Sequence, residues 1–236
     1  MCPYQFFMTY IKPADKEQLF FSGYGLFIHK IIERYLNGEL SKKDLVPYYL
    51  QNFRKNIVAN APSQSIFKSY FEQGLEYLQN IDFPYLTPLD IEKRVNFFVG
   101  DYPFTGIIDC VAEDEKGIVI LDNKSRTLKP RSKRKKPTRS DEELDSYLRQ
   151  LYLYSVAVKD LYGKYPHKLC FNCFRSCELI SEPFLYEKLD STLKWVHDSI
   201  EKIKENDDWG PDIEYWKCRY LCDVHDQCDY WQMNRR

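Results

Sequence analysis

The chain has 236 residues, 44% of them hydrophobic, which is enough for one large α/β unit with a substantial core. Its 34 lysines and arginines nearly balance 35 aspartates and glutamates, so the net charge gives no indication of nucleic-acid binding. Apolar runs fall far short of the roughly 20 residues that a membrane helix needs, and no signal-peptide pattern is visible. Eight cysteines in a chain of this size predict reduced thiols and a cytoplasmic protein rather than a secreted disulfide framework.

Residues 22–80 are predicted to form an N-terminal helical region, because apolar side chains recur there at helical spacing. The predicted helices lie near 22–37, 41–54 and 64–80. This region precedes the predicted strands and is interpreted as part of the same domain.

Three strands are predicted after the helical region, near 91–99, 103–112 and 117–124. Gly100-Asp101 lies between the first two and predicts the turn of a hairpin. Further along come a helix near 141–162, a strand near 168–180 and a helix near 186–206. The order predicts an α/β fold in a single domain over 1–236, with a core over 91–185 and a C-terminal helix and cysteine segment over 186–236.

Two aspartates lie at or near the ends of neighbouring predicted strands. Asp109 ends the apolar run 105–108, and Asp122 ends the run 117–121. Asp122 and Lys124 point to the same face of their strand, because side chains alternate with a period of two. Two carboxylates and an ammonium on one sheet face are typical of a divalent-metal hydrolytic site. Aspartates also favour strand ends for their turn chemistry, so this pattern alone leaves a structural role open.

Two predicted helices carry further polar residues at helical spacing. Gln150 and Tyr154 are four residues apart and share a face, as do His29 and Glu33. Gln150 is hard to explain as core, since a buried amide needs hydrogen-bond partners. His29 could instead complete a buried hydrogen-bond network, and Tyr154 could be core. Glu33 could be a metal ligand or a surface charge, and a position on the surface or next to the ligands is favoured.

The segment 129–139 is strongly basic and lies between the Asp122 strand and the Gln150 helix. It holds seven basic residues and no acidic one: Lys129, Arg131, Lys133, Arg134, Lys135, Lys136 and Arg139. Such a run is either a solvated loop or a surface for DNA phosphates, which would give salt-dependent, sequence-independent affinity. Ser140 is predicted to cap the next helix, whose first turn is acidic.

The cysteines fall into two sets. One set is split between the chain ends: Cys2, then Cys218, Cys222 and Cys228. The other set is predicted to be buried in strands: Cys110, Cys170, Cys173 and Cys177. In a strand near 168–180, Cys170 would face away from Cys173 and Cys177.

Together these motifs resemble a known family. The order His29, Asp109, Asp122-x-Lys124, Gln150-x3-Tyr154 resembles the RecB-type branch of the PD-(D/E)XK nucleases. The opening Cys2 segment and the C-terminal cysteines resemble its iron–sulfur members, which include CRISPR-associated RecB-like exonucleases and the AddB nuclease domain. The chain departs from that pattern by a three-residue gap between Cys218 and Cys222 and by Ile108 before the first aspartate.

The resemblance implies a restriction-endonuclease-like core with a central mixed sheet and a bound Mg²⁺ or Mn²⁺. The implied ligands are His29, Asp109, Asp122 and the carbonyl of Asn123. A histidine ligand shifts the preference towards Mn²⁺. Lys124 would orient or deprotonate the attacking water, or neutralise charge in the transition state.

Further residues have implied roles. Gln150 and Tyr154 would hold the lysine or the scissile phosphate. The four end cysteines would bind a 4Fe–4S cluster, with a zinc site or plain thiols as alternatives.

The implied activity is a metal-dependent DNA exonuclease acting on DNA ends or single strands. A non-catalytic DNA-binding or assembly subunit on the same fold is the alternative, although Asp109, Asp122 and Lys124 argue against it. A third interpretation is a component of CRISPR adaptation. The implied partners are DNA and either a helicase or a CRISPR-adaptation protein, with no membrane association.

Overall fold

The computed structural model describes residues 2–83 and 86–233. Its centre is a five-stranded sheet with strand order β1-β2-β3-β4-β5. The strands are β1 (Thr87–Val99), β2 (Tyr102–Asp114), β3 (Gly117–Lys124), β4 (Lys168–Cys173) and β5 (Glu178–Pro183). β3 and β4 are parallel, while the other neighbouring pairs are antiparallel. The sheet is therefore mixed, which confirms the predicted α/β class.

Helices cover both faces of this sheet. The main ones are α2 (Phe20–Leu36), α3 (Lys42–Asn56), α4 (Gln64–Asn80), α5 (Arg139–Tyr162) and α6 (Tyr186–Glu205). Each agrees with its predicted range to within two residues. No helix among residues 2–83 and 86–233 is long and apolar enough to span a membrane.

Two apolar layers hold the helices to the sheet. On one face, strand residues such as Ile108 and Ile120 pack with Leu148 and Leu151 of α5. On the other face, Leu121 belongs to a smaller apolar group. The helices α2, α3 and α4 form their own aromatic-rich core beside it. Alternation along β3 sends successive apolar residues to opposite layers, so both faces of the strand are buried.

Helix α5 is the crossover that makes β3 and β4 parallel, since parallel neighbours cannot be joined by a tight turn. Its N-cap is Thr138, whose hydroxyl accepts from the backbone N–H of Asp141. The prediction of Ser140 as the cap is therefore wrong. The Asp141 carboxylate accepts from the backbone and hydroxyl of both Ser132 and Thr138, which fixes the helix start two residues earlier.

The predicted strand near 168–180 is two strands, β4 and β5, joined by a tight turn over 174–177. Cys177 adopts φ 53° and is exposed, so its prediction as a buried strand cysteine is wrong. Cys110, Cys170 and Cys173 are buried in strands. Cys170 and Cys173 lie in different apolar layers, on opposite faces of the sheet, as predicted.

The two ends of the described chain pack together. The short helix α1 (Pro3–Phe6), extended by a π-helical turn to Ile11, meets the C-terminal helices α7 (Tyr215–Leu221) and α8 (Asp229–Met233). The Tyr4 ring lies 4.8 Å from that of Tyr230, and Gln5 donates a hydrogen bond of 3.0 Å to Asp223. These contacts bring the N-terminal and C-terminal cysteines into one region.

Candidate active site

Asp109 and Asp122 are brought together by the hairpin that joins β2 and β3. Cys110 pairs with Leu121 across this antiparallel hairpin. Continuing this register by one residue places Asp109 opposite Asp122. The backbone N–H of Asn123 donates a hydrogen bond of 2.7 Å to Oδ2 of Asp109. The end of β3 is therefore tied directly to the carboxylate on β2.

Lys124 connects the carboxylates to helix α5. Its Nζ lies 2.8 Å from Oδ2 of Asp122 and donates a hydrogen bond of 2.8 Å to Oε1 of Gln150. Nε2 of Gln150 in turn donates to the hydroxyl of Tyr154 over 3.2 Å. The buried amide thus has partners on both sides, and it orders the lysine against the aspartate.

His29 reaches the same part of the sheet from helix α2. Its Nδ1 lies 3.5 Å from Oδ2 of Asp109, and its ring packs edge-on against Phe174 with centroids 5.8 Å apart. One ligand atom from each of His29, Asp109 and Glu92 falls within 4.8 Å of the other two. These three side chains are therefore close enough to share one metal ion.

Glu92, on β1, is the site residue that the sequence analysis missed. Its φ of 49° lies in the left-handed region, which is uncommon for a residue with a side chain. Strain of this kind is often found where a side chain is aimed into a functional site. The signal that could have found it was the hairpin register, because counting back from the Gly100-Asp101 turn sets Glu92 opposite Asp109.

Burial dominates the electrostatics of the carboxylates. It raises the pKa of Asp122 to about 6, which the ammonium of Lys124 opposes and the charge of Asp109 reinforces. Burial likewise raises the pKa of Asp109, against the hydrogen bond from Asn123. It raises the pKa of Glu92 to about 7, and the charge of Asp109 adds to the effect. All three carboxyl groups are therefore harder to ionise in this site than in water.

Burial lowers the pKa of His29, and the charge of Asp122 only partly opposes this. The imidazole is consequently neutral at physiological pH, which leaves a ring nitrogen able to act as a metal ligand.

The donor set fits a hard divalent cation. Oδ2 of Asp122 is buried, and the ammonium Nζ of Lys124 lies 2.8 Å from it. Carboxylate oxygens and one imidazole nitrogen are suitable ligands for Mg²⁺ or Mn²⁺.

Tyr154 is placed by a close approach to strand β2. A Cβ atom built on Gly106 would lie only 2.7 Å from the Tyr154 ring, which no real side chain tolerates. The ring therefore packs on the bare backbone of the strand. Gly106 lets Tyr154 reach Gln150 and so supports the hydrogen-bonded chain that ends at Lys124.

The basic segment lies between β3 and α5, as the sequence order required. Arg131 is engaged by two acids, at 2.7 Å from Asp145 and 2.6 Å from Glu182. Its prediction as a DNA contact is therefore not favoured by the geometry, because its charge is already balanced. The other six basic residues are exposed and have no acidic partner within 4.0 Å among the described residues: Lys129, Lys133, Arg134, Lys135, Lys136 and Arg139.

The four end cysteines line one cavity of about 230 Å³: Cys2, Cys218, Cys222 and Cys228. No three of these thiols lie within 4.8 Å of one another in the part of the chain that the structure describes. Backbone N–H groups are directed at the sulfurs, including that of Asp212 towards Cys2 at 3.2 Å. Burial raises the pKa of Cys222 to about 11, so this thiol would lose its proton on binding a metal.

Paired carboxylates and a lysine on neighbouring strands of a mixed sheet form a site suited to metal-assisted hydrolysis. The family model of the PD-(D/E)XK nuclease superfamily matches residues 1–229. The chain therefore belongs to this superfamily, whose members use divalent metals, and it is a nuclease by family.

Among solved structures, the chain is similar to the crystal structure of a candidate exonuclease from Eubacterium rectale. The identity is 14% and the TM-score is 0.48, with 100% of this chain and 82% of the other covered. No curated protein matches the chain.

Proposed function

We propose that this protein is a metal-dependent DNA exonuclease of the RecB type, which acts on DNA ends or single strands. Residues 1–236 would form one nuclease domain. The observation that carries the proposal is the convergence of Asp109 within β2, Asp122 and Lys124 at the end of β3, and His29 from α2. Because Asp109, Asp122 and Lys124 are all present, the site supports a catalytic protein rather than a non-catalytic DNA-binding or assembly subunit.

The proposed metal ligands are the carboxylates of Asp109, Asp122 and Glu92, the imidazole of His29 and the carbonyl of Asn123. When bound, the cation supplies Lewis-acid activation of the attacking water and stabilises charge on the phosphate. The imidazole favours Mn²⁺ over Mg²⁺, because nitrogen ligands suit transition metals better.

Lys124 is proposed to act on the attacking water or on the phosphate. Its side chain is 17% exposed, and its ammonium lies 2.8 Å from the Asp122 carboxylate. The Gln150 amide holds Nζ at 2.8 Å, and Tyr154 holds the amide. Either removal of a proton from water or neutralisation of phosphate charge is within reach of this arrangement.

The test of the proposal is cleavage of end-labelled linear DNA and closed circular DNA, each single- and double-stranded, with Mn²⁺, Mg²⁺ or EDTA. We expect metal-dependent loss of linear DNA, faster with Mn²⁺, and no cleavage of the circles. Asp122→Ala is the inactive control. Inactivity of the folded, metal-binding protein on every substrate would contradict the proposal, and cleavage of circles would contradict the exonuclease mode.

The basic segment is proposed to bind DNA phosphates. Replacing Lys133, Arg134, Lys135 and Lys136 with glutamine should weaken DNA binding and reduce the salt dependence, because each lost phosphate contact lowers the log–log slope by about 0.7 to 0.9. Binding isotherms at several salt concentrations measure this slope. Arg131→Gln is the contrasting control, since its charge is balanced by Asp145 and Glu182, and its slope should stay unchanged. An unchanged slope in the fourfold variant would leave the segment a solvated loop.

The end cysteines are proposed to bind a 4Fe–4S cluster in their shared cavity. Protein purified without oxygen should then be brown, with visible absorption that disappears in Cys222→Ser. Cys177→Ser is the matched control, because that thiol is exposed in the β4–β5 turn, far along the chain from this cavity. Colourless protein without iron would contradict the cluster, and stoichiometric zinc would identify the alternative metal.

A further inference from the structure

Arg175 lies in the turn after β4, beside the end of the strand that carries Lys124. The backbone N–H of Phe174 donates a hydrogen bond of 3.2 Å to the carbonyl of Lys124. Nη1 of Arg175 lies 3.5 Å from the carbonyl oxygen of Ser125. The guanidinium is therefore adjacent to the chain immediately after the proposed catalytic lysine.

The guanidinium is held firmly but its charge is not balanced. Nε donates to Gln73 and Nη1 to the Tyr70 hydroxyl, both over 2.8 Å. The group also lies 3.8 Å from the centre of the Tyr70 ring. No carboxylate lies within 4.0 Å of it among the described residues, and the residue is half-buried. A fixed, unpaired cation at the edge of a phosphodiester-cleaving site suits a phosphate.

Aromatic rings continue from Arg175 towards the C-terminal helices. The Tyr70 ring lies 5.2 Å from Phe21, and Phe21 lies 6.5 Å from Trp216. Trp216 lies 4.6 Å from Tyr220, and its side chain is 42% exposed. We name Arg175, Tyr70, Phe21 and Trp216 the aromatic track, which runs from β4 across α4 and α2 to α7.

We propose that the aromatic track binds a single DNA strand, with Arg175 on a phosphate near the scissile bond and Trp216 stacked on a base. This inference rests on the proposed function and makes the single strand the substrate. Cations on the backbone combined with rings on the bases are the means by which proteins bind single strands without sequence preference. Duplex DNA keeps its bases stacked inside, so it offers nothing to the rings.

The experiment measures affinity for a labelled single-stranded oligonucleotide and for the matching duplex, in EDTA so that no cleavage occurs. We expect Arg175→Gln to weaken single-strand binding roughly tenfold and to reduce its salt slope by about 0.7. We expect Trp216→Ala to weaken single-strand binding about 5- to 30-fold, from the loss of one stacked base, and to change duplex binding less than about twofold. Binding of single strands should also quench wild-type tryptophan fluorescence, with less quenching in Trp216→Phe.

Two control variants match the track residues. Trp195 on α6 is 43% exposed, so Trp195→Ala removes an equally accessible tryptophan outside the track. Arg34 is paired with Glu39 at 2.9 Å, so Arg34→Gln removes an arginine whose charge is balanced. Neither should alter single-strand affinity. Thermal melting of every variant separates lost contacts from lost folding, and the exposed Trp216 gives a test even if Arg175→Gln is unstable.

Unchanged single-strand affinity in folded Trp216→Ala and Arg175→Gln would overturn the track. Equal losses on single-stranded and duplex DNA in Trp216→Ala would also overturn it, because stacking requires unpaired bases. If the wild-type protein cleaves DNA and the variants bind single strands as wild type does, the aromatic track is contradicted and the proposed nuclease activity stands. If the variants bind single strands more weakly but the wild-type protein cleaves no DNA, the aromatic track is supported and the proposed nuclease activity is contradicted.

Discussion

Replacing Asp122 with asparagine is expected to abolish cleavage and, in metal-free protein, to raise the melting temperature at pH 8. Loss of a metal ligand removes several kcal/mol of charge stabilisation in the transition state, so the rate should fall by about a thousandfold or more. The melting temperature should rise although the rate falls, because the substitution removes a charged carboxylate that is buried beside Asp109. Rates with Mn²⁺ and thermal melts in EDTA measure the two effects.

The pH dependence of this gain follows from the raised pKa of Asp122. A pKa of about 6 in the folded protein, against ~3.9 in the unfolded chain, corresponds to about 3 kcal/mol. That stability is fully present below pH ~4 and is lost as the pH rises through about 6. Metal-free wild type should therefore lose stability between pH 4 and pH ~7, while Asp122→Asn should lose less. Added Mn²⁺ should stabilise wild type and leave the variant unchanged.

Asp114→Asn is the matched control on the same sheet. Burial alone would raise the pKa of Asp114, but Lys168 and His167 lie close to its carboxylate and hold the pKa well below its usual range. Removal of this charge should destabilise the protein and leave cleavage intact. If Asp122→Asn is less stable than wild type at pH 8 in EDTA, the buried charged carboxylate does not destabilise the folded protein, and the prediction is wrong.

Lys124→Met is expected to lower the cleavage rate by about two to four orders of magnitude while metal and DNA still bind. Methionine keeps the apolar stem but removes the ammonium that lies 2.8 Å from both Asp122 and Gln150. Single-turnover rates, the Mn²⁺-dependent shift in melting temperature and DNA affinity separate chemistry from binding. If Lys124 removes a proton from water, the wild-type cleavage rate should rise with pH. The difference between the wild-type rate and the Lys124→Met rate should grow accordingly.

Lys93→Met is the control, because Lys93 is a strand lysine paired with Asp90 at 2.9 Å and takes no part in the site. Its cleavage rate should stay within about twofold of wild type. Cleavage by Lys124→Met at the wild-type rate would remove the lysine from the mechanism. A loss of metal-dependent stabilisation in that variant would instead assign Lys124 to ordering the carboxylates.

The sheet and the core of the site could be predicted because local signals agree with the fold there. The Gly100-Asp101 turn and the apolar runs before Asp109 and Asp122 predict β2 and β3 to within two residues, whereas β1 begins four residues before its predicted start. Side-chain alternation then places Lys124 with Asp122. The helical spacing of Gln150 and Tyr154 predicts their common face, and the structure shows the hydrogen bond between them.

The failures lie where long-range contacts override local pattern. Glu92 has no sequence motif, and its place in the site depends on cross-strand register and an unusual φ. The Asp141 carboxylate selects Thr138 over Ser140 as the cap through hydrogen bonds that reach back to Ser132. The aromatic track is invisible in the sequence, since its rings come from separate helices.

The contact between Gly106 and Tyr154 has an evolutionary consequence. The tyrosine ring fills the volume that any side chain at position 106 would need, since a Cβ atom there would lie 2.7 Å from it. A relative with alanine or serine at the position of Gly106 should therefore have a smaller or displaced side chain at the position of Tyr154. The two positions are expected to covary, so a search motif for such proteins would join a glycine on β2 to the glutamine–tyrosine pair on α5.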